Sequence, residues 1–578
     1  MKKKYLSRLL ISLFALILTG CYDLDRFPQD ALSSETFWKT EMQAEEAINA
    51  CYQALKLRET YWRFFAMDCI SDIGIGYDDP GYLTISSGRL TSRDGYVSNR
   101  WRHSYEGVTR ANNVIRNVQG MNINETAKNQ VLGEAKFLRG LFYFFLMQHF
   151  GGVPLYDETT DYNKDYMKLL KPRETEEKTR EFILKDLTDA INLLPVKWSQ
   201  SNYGRATKGA AYALRGKVYL YNKQYDLASK DFEEIVLDPS QQGYGYELYP
   251  NYADLFTKVG DSSSEMIFAI QNYFKIPNWL GMPMCHYMGS NASMDACWNN
   301  VMPSVELVDS YECKDGRPFN WDDFILGYNE SKEVREQTLR ATLTDDLKAV
   351  KDYPKYYKEL LSMYEQRDPR MKETIILPYT YYLGNMKEVD NLCLFVYATG
   401  VSIQNGFVVI NRYKNNYLYL YRKFVPEGNL GGTWNSRGNT PFNFPIIRYA
   451  DVLLMLAECY NEEGKLDEAV RYINMVRQRP STNMPGINSG PEWLEARTKD
   501  AVFKRIMHER AVELPGEGLR YYDLRRWRLM EKYLNGDVQD AMGNHIYYTK
   551  FEEKDYLWPI PSEEIEKNPN LTQNPGWQ

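Results

Sequence analysis

Histidine is scarce in this chain: His103, His149, His286, His508 and His545 are the only five in 578 residues. None stands in an H-E-x-x-H pair or at another ligand-like spacing, which argues against a zinc site. The eight cysteines are widely spread and form no C-x-x-C pair, so a thiol redox motif is not expected either. An excess of positive charge is missing too. The 70 Lys and Arg face 77 Asp and Glu, a net charge of −7, which disfavours a nucleic-acid partner. There is no G-x-S-x-G nucleophile elbow and no phosphate-cradling glycine loop between a strand and a helix. Glycoside hydrolysis needs two carboxylates at a set separation, and nothing among the 77 acidic residues selects a pair. The expectation is no catalytic residue, no metal and no cofactor. Past the N-terminus no apolar run approaches the roughly 20 residues of a membrane span. The strongest, at 141–147, is broken by Gln148, His149 and Gly151.

The N-terminus itself is distinctive. Lys2, Lys3, Lys4 and Arg8 precede an apolar run at 9–18 that closes as Leu18-Thr19-Gly20-Cys21. A basic start, a short apolar core and a small-residue end make a signal peptide rather than a span. The ending resembles the lipobox of bacterial lipoproteins, so residues 1–20 are expected to be removed and Cys21 to be lipidated. Two or more acyl chains hold a protein stably at a bilayer. Ordinary hydrophobic and charged fractions, 44% and 25%, fit a folded body. Tyrosine is the outlier, with 46 residues beside 12 Trp: many rigid amphipathic rings suited to polar ligands.

Apolar residues recur at three and four spacing over 44–56, 104–118, 126–149 and 174–194, which predicts a mostly α fold. An internal match at an offset of 241 strengthens this. Gly216, Tyr219, Ala228, Phe232, Ile235 and Pro239 correspond to Ala457, Tyr460, Ala469, Ile473, Val476 and Pro480. Small residues let two antiparallel helices approach and the aromatic fills the groove, as in tetratricopeptide repeats. Helices are expected at 210–221 with 226–236, and at 451–461 with 467–478. Between them, residues 244–448 are richer in Gly, Pro, Asn and rings, with short strand-like runs at 266–271 and 417–421. The expected organisation is a helical part over about 21–240, a loop-rich insertion over about 241–445, and a second helical part over about 446–578.

Several blocks resemble the SusD and RagB lipoproteins of Bacteroidota. They are Leu24-Asp25-Arg26-Phe27-Pro28, the run from Glu134 to Gly140 leading to Phe150-Gly151-Gly152-Val153-Pro154, Arg448-Tyr449-Ala450-Asp451 with its apolar continuation, Tyr522-Asp523-Leu524-Arg525-Arg526-Trp527, and the closing Trp558-Pro559-Ile560-Pro561 and Asn574-Pro575-Gly576-Trp577. The resemblance implies an outer-membrane lipoprotein, exposed on the cell surface, that captures oligosaccharides for a TonB-dependent transporter of the SusC type. A peptide ligand, as in RagB-type relatives, is the alternative; a scaffold without a ligand and a hydrolase are less favoured. Arg139, Arg448, Asp451, Glu458, Glu509, Arg510 and Arg525 sit among apolar helical residues, where charges need partners, and are read as structural.

A sugar offers an apolar C–H face and a hydroxyl rim, so its site needs rings with a few placed polar groups. Two segments supply both. Residues 71–99 carry Asp72, Tyr77, Asp78, Tyr82 and Arg89; residues 272–300 carry Trp279, His286, Tyr287, Trp298, Asn299 and Asn300. These eleven are the candidate ligand contacts. Trp101 and the rings at 142–145 are expected in the core instead.

Overall fold

Capping residues fix where the helices begin. Thr40 accepts from the Gln43 backbone N–H while the Gln43 side chain accepts from Thr40 N–H, a reciprocal capping box that starts α1 (Glu41–Gln53) three residues before the apolar pattern does. Behind it come α2 (Gly95–Val118), α3 (Glu125–Phe150) and α4 (Glu176–Leu193). Asn124 caps α3 and Gly151, at φ +71°, ends it. From Val131 onward α3 is buried all round, as a helix packed on every side must be. Gly140 admits α4 closely, since a Cβ there would lie 3.2 Å from Leu187. Trp101, Phe142, Phe144 and Phe145 are all enclosed in this core.

This computed structural model describes residues 37–577, apart from 161–168, 274–280, 295–296, 347–348, 387–388, 399–407, 410–415 and 433–435. The signal segment, Cys21 and Trp279 lie outside the described residues. Among the described residues no helix is long and apolar enough to cross a membrane.

The offset of 241 is matched in the architecture. Helices α5 (Lys208–Tyr221) and α6 (Tyr225–Val236) form one hairpin, α7 (Tyr449–Glu462) and α8 (Leu466–Arg477) the other, with every boundary displaced by the same interval. Ala228, Ala457 and Ala469 are fully buried, and a Cβ on Gly216 would sit 2.6 Å from the Phe232 ring. The hairpins pack on each other. Tyr460 donates to Glu233 at 2.7 Å and Ser229 to Glu463 at 2.7 Å.

Strands are few and short. β1 (Gly74–Gly76), β2 (Met266–Ile270), β3 (Val301–Pro303) and β4 (Phe444–Arg448) form two antiparallel pairs, β1 with β3 and β2 with β4. The strand expected over 417–421 is shorter, only Leu420–Tyr421. The stretch from 271 to 443 therefore leaves and rejoins the helical body on adjacent strands. Helix α9 (Lys499–Glu513) follows the second hairpin, and the turn after it anchors the centre.

That centre is ionic. Arg448 donates to Glu265 at 2.7 Å, Glu513 at 2.8 Å and Glu517 at 2.8 Å; Arg479 reaches Glu265 and Glu513; Arg370 reaches Asp368, Glu509 and Glu513. All these groups are buried. Arg139 pairs with Asp186, Glu458 with Arg526, and Arg510 with Asp451 and Asp523. Arg525 differs, donating to the Gln148 side chain and the Tyr556 carbonyl. Burial alone would raise the Asp451 carboxyl, but Lys217 and Arg510 beside it bring it down to about 2. The C-terminus is pinned as well: Trp558 N–H donates to the His149 carbonyl and Asn574 to those of Phe150 and Trp558.

Candidate ligand-binding surface

The two glycine-rich segments meet because β1 pairs with β3, with Gly76 opposite Val301. Beyond that pair Tyr77 N–H donates to the Asn300 carbonyl at 3.1 Å, and the Tyr77 hydroxyl donates to the Trp298 carbonyl. Gly81 makes the approach possible, since a Cβ there would lie 2.5 Å from the Asn300 oxygen.

On this ribbon the rings gather. His286 and Tyr287, from the short helix Met284–Met288, stack with centroids 4.8 Å apart and planes at 13°. Trp298 meets His286 edge-on at 4.5 Å, held by its own N–H bonded to the His286 carbonyl at 2.7 Å. Trp62 extends the row, 6.3 Å from Tyr287. Trp298 is 49% exposed, so its ring meets solvent, and the Arg437 guanidinium lies 5.9 Å from its centroid. Burial, with Arg437 adding, pushes the His286 imidazole down to about 4, so it is neutral at physiological pH. Its Nε2 is enclosed and has no hydrogen-bond partner in the protein. The half-exposed Trp298 ring is the face this cluster offers to a sugar.

Of the eleven candidates, Tyr77, His286, Tyr287 and Trp298 are brought together. Tyr82 leaves the set. It is fully buried at φ +53°, donates to Glu59 at 2.9 Å, accepts from Arg100 at 3.1 Å and lies under the Arg63 guanidinium. Asp72 accepts from Arg520 Nε and Nη2, both at 2.8 Å. Asn299 and Asn300 are buried beneath the rings, while Asp78 and Arg89 are exposed, Arg89 bonded to Ser87. Trp62 was not anticipated; it sits in an irregular turn between helices, where periodicity carries no information. Beneath the rings Arg58 and Arg63 both pair with Asp79, fixing the loop that carries Tyr77. A cavity of about 340 Å³ lined by Ile75, Val538, Tyr547 and Trp558 shares no residue with the ring row. The rings form an open platform rather than a pocket. No cluster of His, Cys, Asp or Glu suited to a metal occurs among the described residues.

Antiparallel helical hairpins with long irregular segments and few short strands are the architecture of the SusD-like proteins. A SusD-like carbohydrate-binding protein from Bacteroides fragilis superposes with a TM-score of 0.74 at 25% identity, over 93% of this chain and all of that one. The chain belongs to the SusD family, which it matches over residues 260–577; residues 28–220 match a group described as starch-binding and associating with the outer membrane. A SusD-like protein of Formosa agariphila is 24% identical along the full length of both chains. Surface glycan-binding protein A from Bacteroides thetaiotaomicron, solved in complex with laminarihexaose, superposes with a TM-score of 0.64 at 19% identity, over 93% of this chain and 99% of that one.

Proposed function

We propose that this protein captures oligosaccharides at the cell surface, lipid-anchored in the outer membrane through Cys21, and hands them to a SusC-type TonB-dependent transporter without chemically altering them. The row formed by Trp62, Tyr287, His286 and Trp298 carries this reading. Packed on one another, these rings hold the half-exposed Trp298 in place as a face for a sugar, and an open platform admits a polymer that an enclosed cavity would exclude. Family membership supports carbohydrate as the ligand class. Binding follows from stacking on Trp298 with hydroxyls meeting Arg437.

The test is calorimetry of the purified protein against a panel of glycans and peptides, with melts alongside. Trp298→Ala should weaken the best glycan by about thirtyfold, on the order of 2 kcal/mol, with an unchanged melt. Trp279→Ala is expected to act the same way. Unchanged affinity in both variants moves the site elsewhere; a wild type that binds peptides and no glycan replaces the ligand class; products appearing in the cell would establish hydrolysis.

A further inference from the structure

Two cysteines stand directly beneath the ring row. Cys285 precedes His286 and Cys297 precedes Trp298, and their Sγ atoms are 3.3 Å apart although the residues are twelve positions apart in sequence. Both side chains are fully buried, Cys285 N–H is tied to the Thr440 hydroxyl at 2.8 Å, and the neighbouring residues are already joined by the Trp298 to His286 backbone bond. A disulfide needs the sulfurs about 2.05 Å apart, so closure asks for a movement of roughly 1.2 Å, within reach of small side-chain rotations. Thiols so placed in the cytosol stay reduced, but proteins of the bacterial periplasm and cell surface mature among thiol oxidants.

We propose that Cys285 and Cys297 are joined by a disulfide in the exported protein, and that this crosslink clamps His286 against Trp298. The oxidant is a disulfide-bearing thiol oxidant of the export compartment. One cysteine thiolate attacks its S–S bond and forms a mixed disulfide; the second then displaces the oxidant's remaining thiolate. The cysteines lose two protons and two electrons, and the oxidant leaves as a dithiol. The reaction belongs to folding, before the sulfurs are covered. Once buried, the bond is shielded from reductants, and burial drives the Cys285 thiol well above its ordinary range, disfavouring the thiolate that further exchange would need. The remaining described cysteines, buried free thiols, are internal controls.

The crosslink does not depend on what the rings bind, but its consequence for sugar does rest on the proposed function. Full-length protein is taken from outer membranes with thiols trapped by N-ethylmaleimide under denaturing conditions, then digested without reduction and mapped by mass spectrometry. A linked peptide pair containing Cys285 and Cys297, neither alkylated, is expected, with Cys51, Cys69 and Cys459 alkylated. Alkylation of both Cys285 and Cys297 overturns the proposal. Hydrogen exchange of wild type against the Cys285→Ala, Cys297→Ala double variant reads the clamp: amides at 284–299 should exchange about tenfold faster in the variant. Equal exchange would overturn the clamp while leaving the bond. Titration with the same glycan panel separates the two readings, because a crosslinked, clamped protein that binds no glycan refutes the carbohydrate platform and not the disulfide.

Discussion

Trp298 and Trp558 are the same residue type in opposite settings, one half in solvent and one enclosed between His149 and Tyr521. Trp558→Ala should cost about 3 to 5 kcal/mol of stability in a denaturant titration, because it empties a packed site. Asp68 gives a pH signature. Burial pushes its carboxyl up to about 7, against backbone N–H groups of Gly516, Gly518 and Arg520 that pull it down. The folded chain keeps this proton where the unfolded chain, with an ordinary carboxyl near 4, has released it. Asp68 therefore lowers stability as pH rises from about 4 to 7, and the loss is complete above 7. Urea unfolding at pH 5 and pH 8 should show Asp68→Asn with a smaller decline than wild type, by of order 2 kcal/mol. At this scale the sequence was only partly legible. Tyr77 and Tyr82 lie in one glycine-rich loop with like neighbours, and only the path of that loop, set by a strand partner more than two hundred residues away, turns one ring outward and the other into the core.

Elements were far more legible, because burial writes a period into the chain. Small residues repeated at 241 mark helix contacts whatever the intervening loops do, so both hairpins could be placed from the six matched positions, Ala228 and Ala469 among them. Either residue changed to Leu should overpack its contact at about 1 to 3 kcal/mol, seen as a lower melting temperature; wild-type stability in both would contradict the packing. β1 and β3, three residues each, left no such trace, which is why two candidate segments could be named but not joined. Arg448 joins β4 to the turn after α9. Arg448→Met should cost about 3 to 5 kcal/mol, since Glu265, Glu513 and Glu517 would stay buried with a cation removed.

For the molecule as a whole, Cys21→Ala should leave folding intact and release the protein from outer-membrane fractions; a variant that stays with membranes after a high-salt wash would show another anchor. The pairing of β2 with β4 has a consequence of a different kind. Neighbouring strands are about 4.8 Å apart, so the stretch from 271 to 443 enters and leaves through a single narrow doorway in the helical body. Its outer loops can drift in length without the hairpins having to yield, provided that Arg370 and Asp368, buried within it against Glu509 and Glu513, are kept. A second condition follows because β1 closes on β3: residues 71–99 must change together with the segment that ends at β3, and a lineage that replaced one without the other would inherit a reading head split in two.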